Sequence, residues 1–489
     1  MEVNVLDKSP VAVKTEALIL LFSKEMFKKF KPKTRLDKII KRVKDNKEFK
    51  GEKDQVVSLT GFDLNAKKII LCGLGEEKKL DMEQIRRSLS NAIKPLNVKE
   101  FTISLKGIKL PIKDKIKASV ESVMLSSYKF DKYKSYPKDN PKIELKKVSI
   151  LIDGKNKYKD IIDETKIICK NALFVRDLVN ENADVMNTLE LTKRAKVLTK
   201  NKKISVKVLD EKALKKQGLN LILAVGQGSR FPPRLVILNY KGNPNSKDVT
   251  AFVGKGVTFD TGGINLKPTP ESLINMKIDM TGAGTVLGLV KAAAELKLKR
   301  NIIGVMPLVE NAIGSRAYKP GDIFKSYSGK TVEIRHTDAE GRLILADALA
   351  YVTKNYKPNR VIDLATLTGA ALIIFGEHIT PLVSNNERLV KGLTNASANT
   401  TEKIWNLPLI EEYKEEMKSE PADLRNLPKT SRHAGTITAA AFLENFVNEV
   451  PWAHLDIAGT AWSSKGHYYL TPGGTGFGIR LLIDFLKFS

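Results

Sequence analysis

The sequence predicts an α/β protein in which a smaller N-terminal α/β domain is joined by a helix to a larger C-terminal α/β domain. Apolar runs typical of strands alternate with helical patterns along most of the 489 residues. A helical spacing of apolar residues over 160–180 separates two such regions. Acids and lysines follow strand-like runs among glycines, where open α/β sheets carry their chemistry. We therefore predict domains at residues 1–155 and 183–489, with the linking helix at 156–182.

The N-terminal region alternates apolar runs bounded by turn residues with segments of helical periodicity, which is typical of a compact α/β domain. The predicted strands are residues 11–22, 55–59, 68–72, 101–105 and 148–152, and the predicted helices are residues 82–93 and 116–127.

The formal net charge of +27 is densest near the N-terminus, where residues 1–150 hold 35 Lys/Arg against 20 Asp/Glu. A basic domain of this kind could bind nucleic acid or an anionic surface. The lysines are scattered, aromatic residues are few, and no nucleic-acid-binding motif is present, so a solvated lysine-rich surface is the favoured interpretation.

Composition excludes several other classes of protein. The hydrophobic fraction of 42% is ordinary for a globular protein, and no apolar run approaches the roughly 20 residues of a membrane span. The N-terminus lacks the features of a signal peptide. The two cysteines, Cys72 and Cys169, lie far apart, which favours a reducing cytoplasm over a disulfide framework.

The most informative segment is His336-Thr337-Asp338-Ala339-Glu340-Gly341-Arg342-Leu343, which precedes an apolar helical pattern. In an extended segment Asp338 and Glu340 point the same way, and such close carboxylates repel unless a proton or a cation lies between them. A divalent cation is one explanation. A solvated turn that caps the next helix is the other, because acids favour helix N-termini.

A second cluster favours the cation. Lys255 and Asp260 follow the strand-like run 250–253 within the segment Lys255-Gly256-Val257-Thr258-Phe259-Asp260-Thr261-Gly262-Gly263. Lys267 comes next, and Asp279 precedes a glycine-rich helix start at 281–284. The sequence thus places several oxygen donors and two lysines at strand ends or helix starts, among glycines that permit close backbone approach.

These segments resemble the leucyl aminopeptidase (cytosol aminopeptidase) family. The hallmark of that family is Asn-Thr-Asp-Ala-Glu-Gly-Arg-Leu, from which this chain differs only at His336. The resemblance covers roughly residues 170–489 and is carried by residues 175–180, 224–229, 255–263, 319–322, 363–370 and 452–459. It implies a mixed central sheet in the C-terminal domain, while residues 1–150 fit the variable N-terminal domain of the family by position only.

The resemblance implies two divalent ions per subunit (Mn, Zn, Mg or Co). One ion would be held by Asp260, Asp338 and Glu340, and the other by Lys255, Asp260, Asp279 and Glu340. A lysine ligand must be neutral, so a salt bridge to these acids is the alternative for Lys255. His336 is interpreted as structural rather than as a ligand.

The resemblance also implies catalytic roles. Lys267 would stabilise an oxyanion, and Arg342 would hold bicarbonate as the general base. An apolar, open pocket would take the N-terminal side chain of a peptide. The residues assigned to that pocket are Met276, Thr366, Gly369, Ala458 and Ala461. The family pattern has one residue fewer between Lys267 and Asp279, and we place the extra residue in the loop 268–272.

The implied function is metal-dependent removal of the N-terminal residue from peptides through a hydroxide bridged by two metals, with leucine and other apolar residues preferred. The implied assembly is a cytoplasmic homohexamer with no membrane contact. The alternative is the same enzyme with an added nucleic-acid-binding role of its basic N-terminal domain.

Overall fold

The computed structural model describes residues 1–60, 62, 64–135, 143–154, 158–430 and 433–488. The chain divides into two compact units, a first unit of Met1–Lys170 with Lys465–Thr471 and a second unit of Asn171–Ser464 with Pro472–Ser489. The domain boundary predicted at 155–156 lies outside the described residues, and the predicted domain limits stay a prediction. Within the described ranges, no helix is long and apolar enough to cross a membrane.

The first unit contains a six-stranded sheet with the order β1-β6-β5-β2-β4-β3, in which only the β3–β4 pair is antiparallel. The long helix that begins in this unit, α5, continues into the second. The elements are β1 Glu2–Leu6, β2 Thr15–Ser23, α1 Lys24–Lys28, α2 Arg35–Asp45, β3 Val56–Thr60, β4 Ala66–Gly75, α3 Met82–Ile93, β5 Glu100–Ser104, α4 Ile112–Ser126, β6 Lys147–Leu151 and α5 Lys159–Asn180.

The second unit contains a nine-stranded mixed sheet, as the resemblance implied. Its order is β16-β15-β18-β14-β9-β11-β8-β7, and β10 pairs with β11 beyond the end of β9. Its elements up to the middle of the unit are α6 Thr188–Val197, β7 Ile204–Leu209, α7 Glu211–Gln217, α8 Asn220–Gly226, β8 Arg234–Lys241, β9 Val249–Gly254, β10 Gly256–Asp260, α9 Pro270–Ile274, α10 Thr281–Glu295, β11 Asn301–Asn311, β12 Ile323–Lys325 and β13 Thr331–Glu333.

The remaining part of the second unit supplies the other half of the sheet and the helices against it. Its elements are α11 Gly341–Tyr356, β14 Arg360–Ala365, α12 Gly369–Phe375, β15 Thr380–Ser384, α13 Glu387–Thr400, β16 Ile404–Asn406, α14 Glu411–Glu415, β17 Leu424–Arg425, α15 Gly435–Glu444, β18 Trp452–Asp456, β19 Trp462–Ser463, β20 Gly473–Gly474 and α16 Ile479–Phe488.

Most elements predicted in the N-terminal region are present within a few residues. The first predicted strand is shorter than expected, because residues Pro10–Ala12 form a 3-10 turn and β2 begins at Thr15. The prediction missed α2, although its signals were in the sequence. Thr34 and Asp37 form a capping box, and the buried face of the helix repeats at helical spacing over Leu36, Ile39, Ile40 and Val43.

A buried carboxylate, Asp347 on α11, ties α8 to the core of the second unit. One of its oxygens accepts the backbone N–H groups of Leu221 and Ile222, at 2.8 and 3.2 Å, and the other accepts that of Tyr327 at 2.8 Å. Burial raises the pKa of Asp347 to about 7, although the three N–H donors oppose the shift.

Replacing Asp347 by alanine should lower the free energy of unfolding by about 3 kcal/mol, because three buried N–H groups lose their acceptor. Asp347→Asn should lower the free energy of unfolding by less, since one oxygen acceptor remains.

Because the pKa of Asp347 is raised in the folded chain, ionisation of this group lowers the free energy of unfolding as the pH rises from about 4 to about 7. The difference in the free energy of unfolding between wild type and Asp347→Asn, measured with urea, should therefore shrink over that pH interval. A pH-independent difference would contradict this assignment of the pKa.

Candidate active site

The predicted ligands converge on one cavity of about 490 Å³ in the second unit. Asp260 ends β10, and Lys255 lies between β9 and β10, so both are at the carboxyl edge of the sheet. Asp279 lies in the 3-10 turn before α10, and Asp338 and Glu340 lie in the segment before α11. All five line the cavity.

Lys255 is buried and lies among the acids. Its Nζ is 2.7 Å from Asp279 Oδ1 and 2.8 Å from Glu340 Oε1, and it donates a hydrogen bond of 2.8 Å to the carbonyl oxygen of Thr366. The stem of the lysine passes directly over Gly341, where a Cβ atom would lie 2.5 Å from Lys255 Cε. A side chain at position 341 would therefore displace this lysine from its contacts with Asp279 and Glu340.

Lys267 pairs with two other predicted ligands. Its Nζ is 2.8 Å from Asp260 Oδ2 and 2.5 Å from Asp338 Oδ1. Burial opposes a charge on Lys267, but Asp260, Glu340 and Asp338 outweigh it and raise the pKa of the amine. Burial likewise opposes a charge on Lys255, whose pKa Asp279, Glu340 and Asp260 nevertheless raise. Both lysines are therefore ammonium groups in the metal-free chain.

The carboxylates outnumber these two cations. Oxygen atoms of Asp260, Asp279 and Glu340 all lie within 4.8 Å of one another. Burial, together with Asp260 and Glu340, raises the pKa of Asp338 to about 7, although Lys267 opposes the shift. Asp338 lies outside the close group of three and contacts Lys267 instead.

Two buried carboxylate oxygens, Asp279 Oδ2 and Glu340 Oε1, accept no hydrogen bond from any described residue. Glu340 Oε1 is close to Lys255 Nζ, but the contact lacks the geometry of a hydrogen bond. Unsatisfied buried carboxylate oxygens are costly without a cation. Oxygen donors and a primary amine without any thiol suit hard or borderline divalent metals. The residues present thus fit a metal centre.

Neighbouring polar groups orient the acids, as is usual around metal ligands. Asp260 Oδ1 accepts hydrogen bonds of 2.8 Å from Gly262 N–H and from Asn311 Nδ2. Asp279 Oδ1 accepts one of 2.7 Å from the Thr366 hydroxyl. Sequence reasoning missed Asn311, although its position at the carboxyl end of the apolar strand β11 was a usable signal.

His336 contacts the backbone of its own segment. Its Nδ1 is 3.2 Å from the backbone nitrogen of Asp338, whose N–H it accepts. This contact fits the interpretation of His336 as a residue that supports the segment rather than as a ligand.

Arg342 is buried near the cluster but does not line the cavity. Its Nε and Nη1 atoms have no hydrogen-bond partner among the described residues. Burial lowers its pKa to about 10, with Glu340 and Asp456 opposing the shift, so the guanidinium stays charged at neutral pH. A buried planar cation with open donors is suited to a small anion.

Four of the five residues assigned to the side-chain pocket line the cavity, namely Met276, Thr366, Gly369 and Ala458. Ala461 is fully buried and does not line it, because its backbone is hydrogen-bonded to Ile457 and Thr475 in a packed turn. Sequence reasoning missed other lining residues, among them Leu372, Glu377 and Trp462.

The loop with the proposed extra residue forms the short helix α9. Thr269 and Ser272 make a capping box at its start. This helix lies between Lys267 and Asp279 in the chain, and both residues still reach the cavity.

Comparison with known proteins agrees with this geometry. The model described as "Cytosol aminopeptidase family, catalytic domain" matches residues 173–483, and the one described as "Cytosol aminopeptidase family, N-terminal domain" matches residues 19–137. This chain belongs to the cytosol aminopeptidase family. The membership predicted from the motifs is thereby confirmed.

Relatives within the cytosol aminopeptidase family extend over nearly the whole chain. A probable cytosol aminopeptidase of Protochlamydia amoebophila is 41% identical over 446 residues, which cover 90% of this chain and 89% of the relative. One of Geobacter sp. is 38% identical over 496 residues, with all of both chains covered.

A solved structure has the same fold. The bottromycin maturation enzyme BotP in complex with Mn superposes with a TM-score of 0.85 at 30% identity, covering 96% of this chain and 99% of that one. Membership of the cytosol aminopeptidase family implies metal-dependent hydrolysis of peptides at their N-terminus, and the buried acidic cluster fits metal binding.

Proposed function

We propose that this chain is a two-metal exopeptidase that removes the N-terminal residue of peptides, with leucine and other apolar residues preferred. The observation that carries the proposal is the convergence of four carboxylates and two lysines in one cavity that also has an apolar wall. One buried carboxylate oxygen there, Asp279 Oδ2, accepts no hydrogen bond from a described residue, which supports a cation as its partner.

The proposed ligand sets follow the resemblance. Asp260, Asp338 and Glu340 would hold one ion, and Lys255, Asp260, Asp279 and Glu340 would hold the other. Lys255 must lose its proton to bind, and its close contacts with Asp279 and Glu340 favour the ammonium until an ion displaces that proton. Mn, Zn, Mg and Co all suit this donor set.

Two bound divalent ions supply Lewis acidity, which polarises a peptide carbonyl and makes a nucleophile available from water at neutral pH. The side chains of the protein bind the substrate and stabilise the charge that develops on it. Asp279 helps to bind the free α-amine of the peptide, which an internal residue does not have, and this restricts cleavage to the N-terminus. Lys267 stabilises the negative charge that develops on the carbonyl oxygen.

Arg342 is the residue that would hold bicarbonate, and the bound anion would supply a general base. Its two open, buried nitrogens and its retained charge support an anion at this place. Met276, Thr366, Gly369 and Ala458 form the wall of the pocket for the N-terminal side chain, since small residues leave room and methionine adapts to its ligand.

The proposed assembly is a homohexamer in the cytoplasm, an inference that rests on the family. The added nucleic-acid-binding role stays an alternative that no described contact favours. Several lysines of the first unit are engaged in ion pairs, for example Lys41 with Asp45 at 2.7 Å and Lys106 with Asp153 at 3.0 Å.

Removal of metal tests the proposed function. Treatment with a chelator should abolish hydrolysis of leucyl-amide, and added Mn or Zn should restore it, because the acids cannot polarise the substrate themselves. N-acetylated leucyl-amide should not be cleaved by the restored enzyme, since its α-amine is blocked. Cleavage that survives complete metal removal, or that proceeds equally well on the acetylated substrate, would contradict the proposal.

A further inference from the structure

A carboxylate, Glu377, lines the active-site cavity at the wall proposed to receive the N-terminal side chain. It follows α12 and Gly376 in the chain. The backbone of Gly376 lies against the turn that contains Ala458, since a Cβ atom on Gly459 would lie only 2.1 Å from the carbonyl oxygen of Gly376. Glu377 therefore belongs to the same side of the cavity as Ala458.

Three donors hold the carboxylate of Glu377 in place. Ser464 donates to Oε1 from its hydroxyl at 2.6 Å and from its backbone N–H at 3.1 Å, and the Ser463 hydroxyl donates to Oε2 at 3.2 Å. Across the described ranges, no cationic side chain lies within 4.0 Å of it. Neutral donors thus hold the carboxylate of Glu377 in one orientation.

Apolar groups line the cavity together with this carboxylate. Met276, Leu372 and Trp462 all line it, and Trp462 is half-buried. Long basic side chains bury their aliphatic stems on apolar surfaces while the charged group reaches a polar partner, and an aromatic ring adds a favourable cation–π contact.

We infer that the cavity accepts peptides whose N-terminal residue is lysine or arginine, and that Glu377 determines this specificity by pairing with the cationic group. The inference rests on the proposed function and names a second class of substrate for it. Apolar N-terminal residues remain substrates, because a shorter side chain leaves Glu377 bonded to Ser463 and Ser464 and hydrated at the half-open wall.

The test compares substrates that differ only in the cationic group. Lysyl- and norleucyl-p-nitroanilide share the same aliphatic stem, and kcat/KM is measured for both with the metal-loaded wild type and with Glu377→Gln. Glutamine keeps one acceptor for Ser464 and can donate to Ser463, so the wall is retained. We expect the lysyl-to-norleucyl ratio to fall about tenfold in the variant, the size expected for loss of one charge-assisted hydrogen bond.

Two further measurements distinguish an ion pair between the substrate and Glu377 from a change in the shape of the cavity. Raising the ionic strength should lower the lysyl-to-norleucyl ratio in wild type and leave it nearly constant in Glu377→Gln, because salt screens a partly exposed ion pair. Calorimetric titration with free L-lysine and L-norleucine measures binding without any turnover. It should show that wild type prefers lysine and that Glu377→Gln loses this preference. Glu412→Gln, an exposed carboxylate outside the cavity, is the control and should keep the wild-type ratio.

An unchanged ratio in Glu377→Gln, or an equal fall in Glu412→Gln, would overturn the inference while leaving the proposed function intact. If the metal-loaded wild type hydrolyses neither lysyl nor norleucyl nor leucyl substrates, the proposed function fails and the inference fails with it. A wild type that cleaves norleucyl but rejects lysyl substrates would also overturn it.

Discussion

Replacing Glu340 by alanine is expected to lower the metal content per chain and to reduce turnover of leucyl-amide by roughly 10³-fold or more. Glu340 is buried, and its carboxylate is one of three with oxygens within 4.8 Å of one another. The proposal uses it as a ligand of both ions, so its loss should weaken both sites. Metal analysis of desalted protein and steady-state kinetics would measure the two effects.

Glu271→Ala is the matched control for this experiment. Glu271 lines the same cavity but is exposed and lies outside the close group of three acids, so this variant should retain its metal. A Glu340→Ala variant with unchanged metal content and full activity would refute the ligand assignment.

Replacing Lys267 by alanine should lower kcat by about 10²–10³-fold, the usual effect of losing one electrostatic donor to the transition state. In the metal-free chain Lys267 Nζ contacts Asp260 and Asp338, the proposed ligands of one ion. An ion between those acids competes with the ammonium for them. The Lys267→Ala variant should therefore bind metal at least as well as wild type, while its catalysis is impaired.

Lys255→Ala should behave differently. Lys255 is a proposed ligand, so its loss should weaken one metal site and make activity depend more strongly on added metal. A metal titration of kcat for both variants would distinguish the two roles. If Lys255→Ala kept its metal affinity and Lys267→Ala lost metal, the roles would be exchanged, and the extra residue in the loop 268–272 would have moved Lys267 into the ligand set.

Local patterns predicted much of the fold because strand and helix periodicities are properties of neighbouring residues. The apolar run at 250–253 is the centre of β9, and the apolar pattern after the hallmark octet is α11. The errors were a misplaced strand end and whole elements that were missed, β1 and α2 among them. The first predicted strand included a turn that begins at Pro10, and α2 was passed over although Thr34 and Asp37 mark its start.

Other features of the site could not be predicted from short sequence patterns. The resemblance assigned Ala461 to the pocket, yet Ala461 is fully buried and is not among the residues that line the cavity. Glu377 carries no recognisable motif. It becomes notable only because the turn at Ala458 packs against Gly376 and brings Ser463 and Ser464 to its carboxylate.

The sequence by itself determined the family and the alternation of strands and helices, and it predicted the donor set, because these depend on residue types and short spacings. Only the tertiary structure decided which lysine meets which acid. Lys255 reaches Asp279 and Glu340, whereas Lys267 reaches Asp260 and Asp338. The physical reason is that these contacts join residues far apart in the sequence, such as Lys255 with Glu340 and Lys267 with Asp338, and no short-range pattern contains that information.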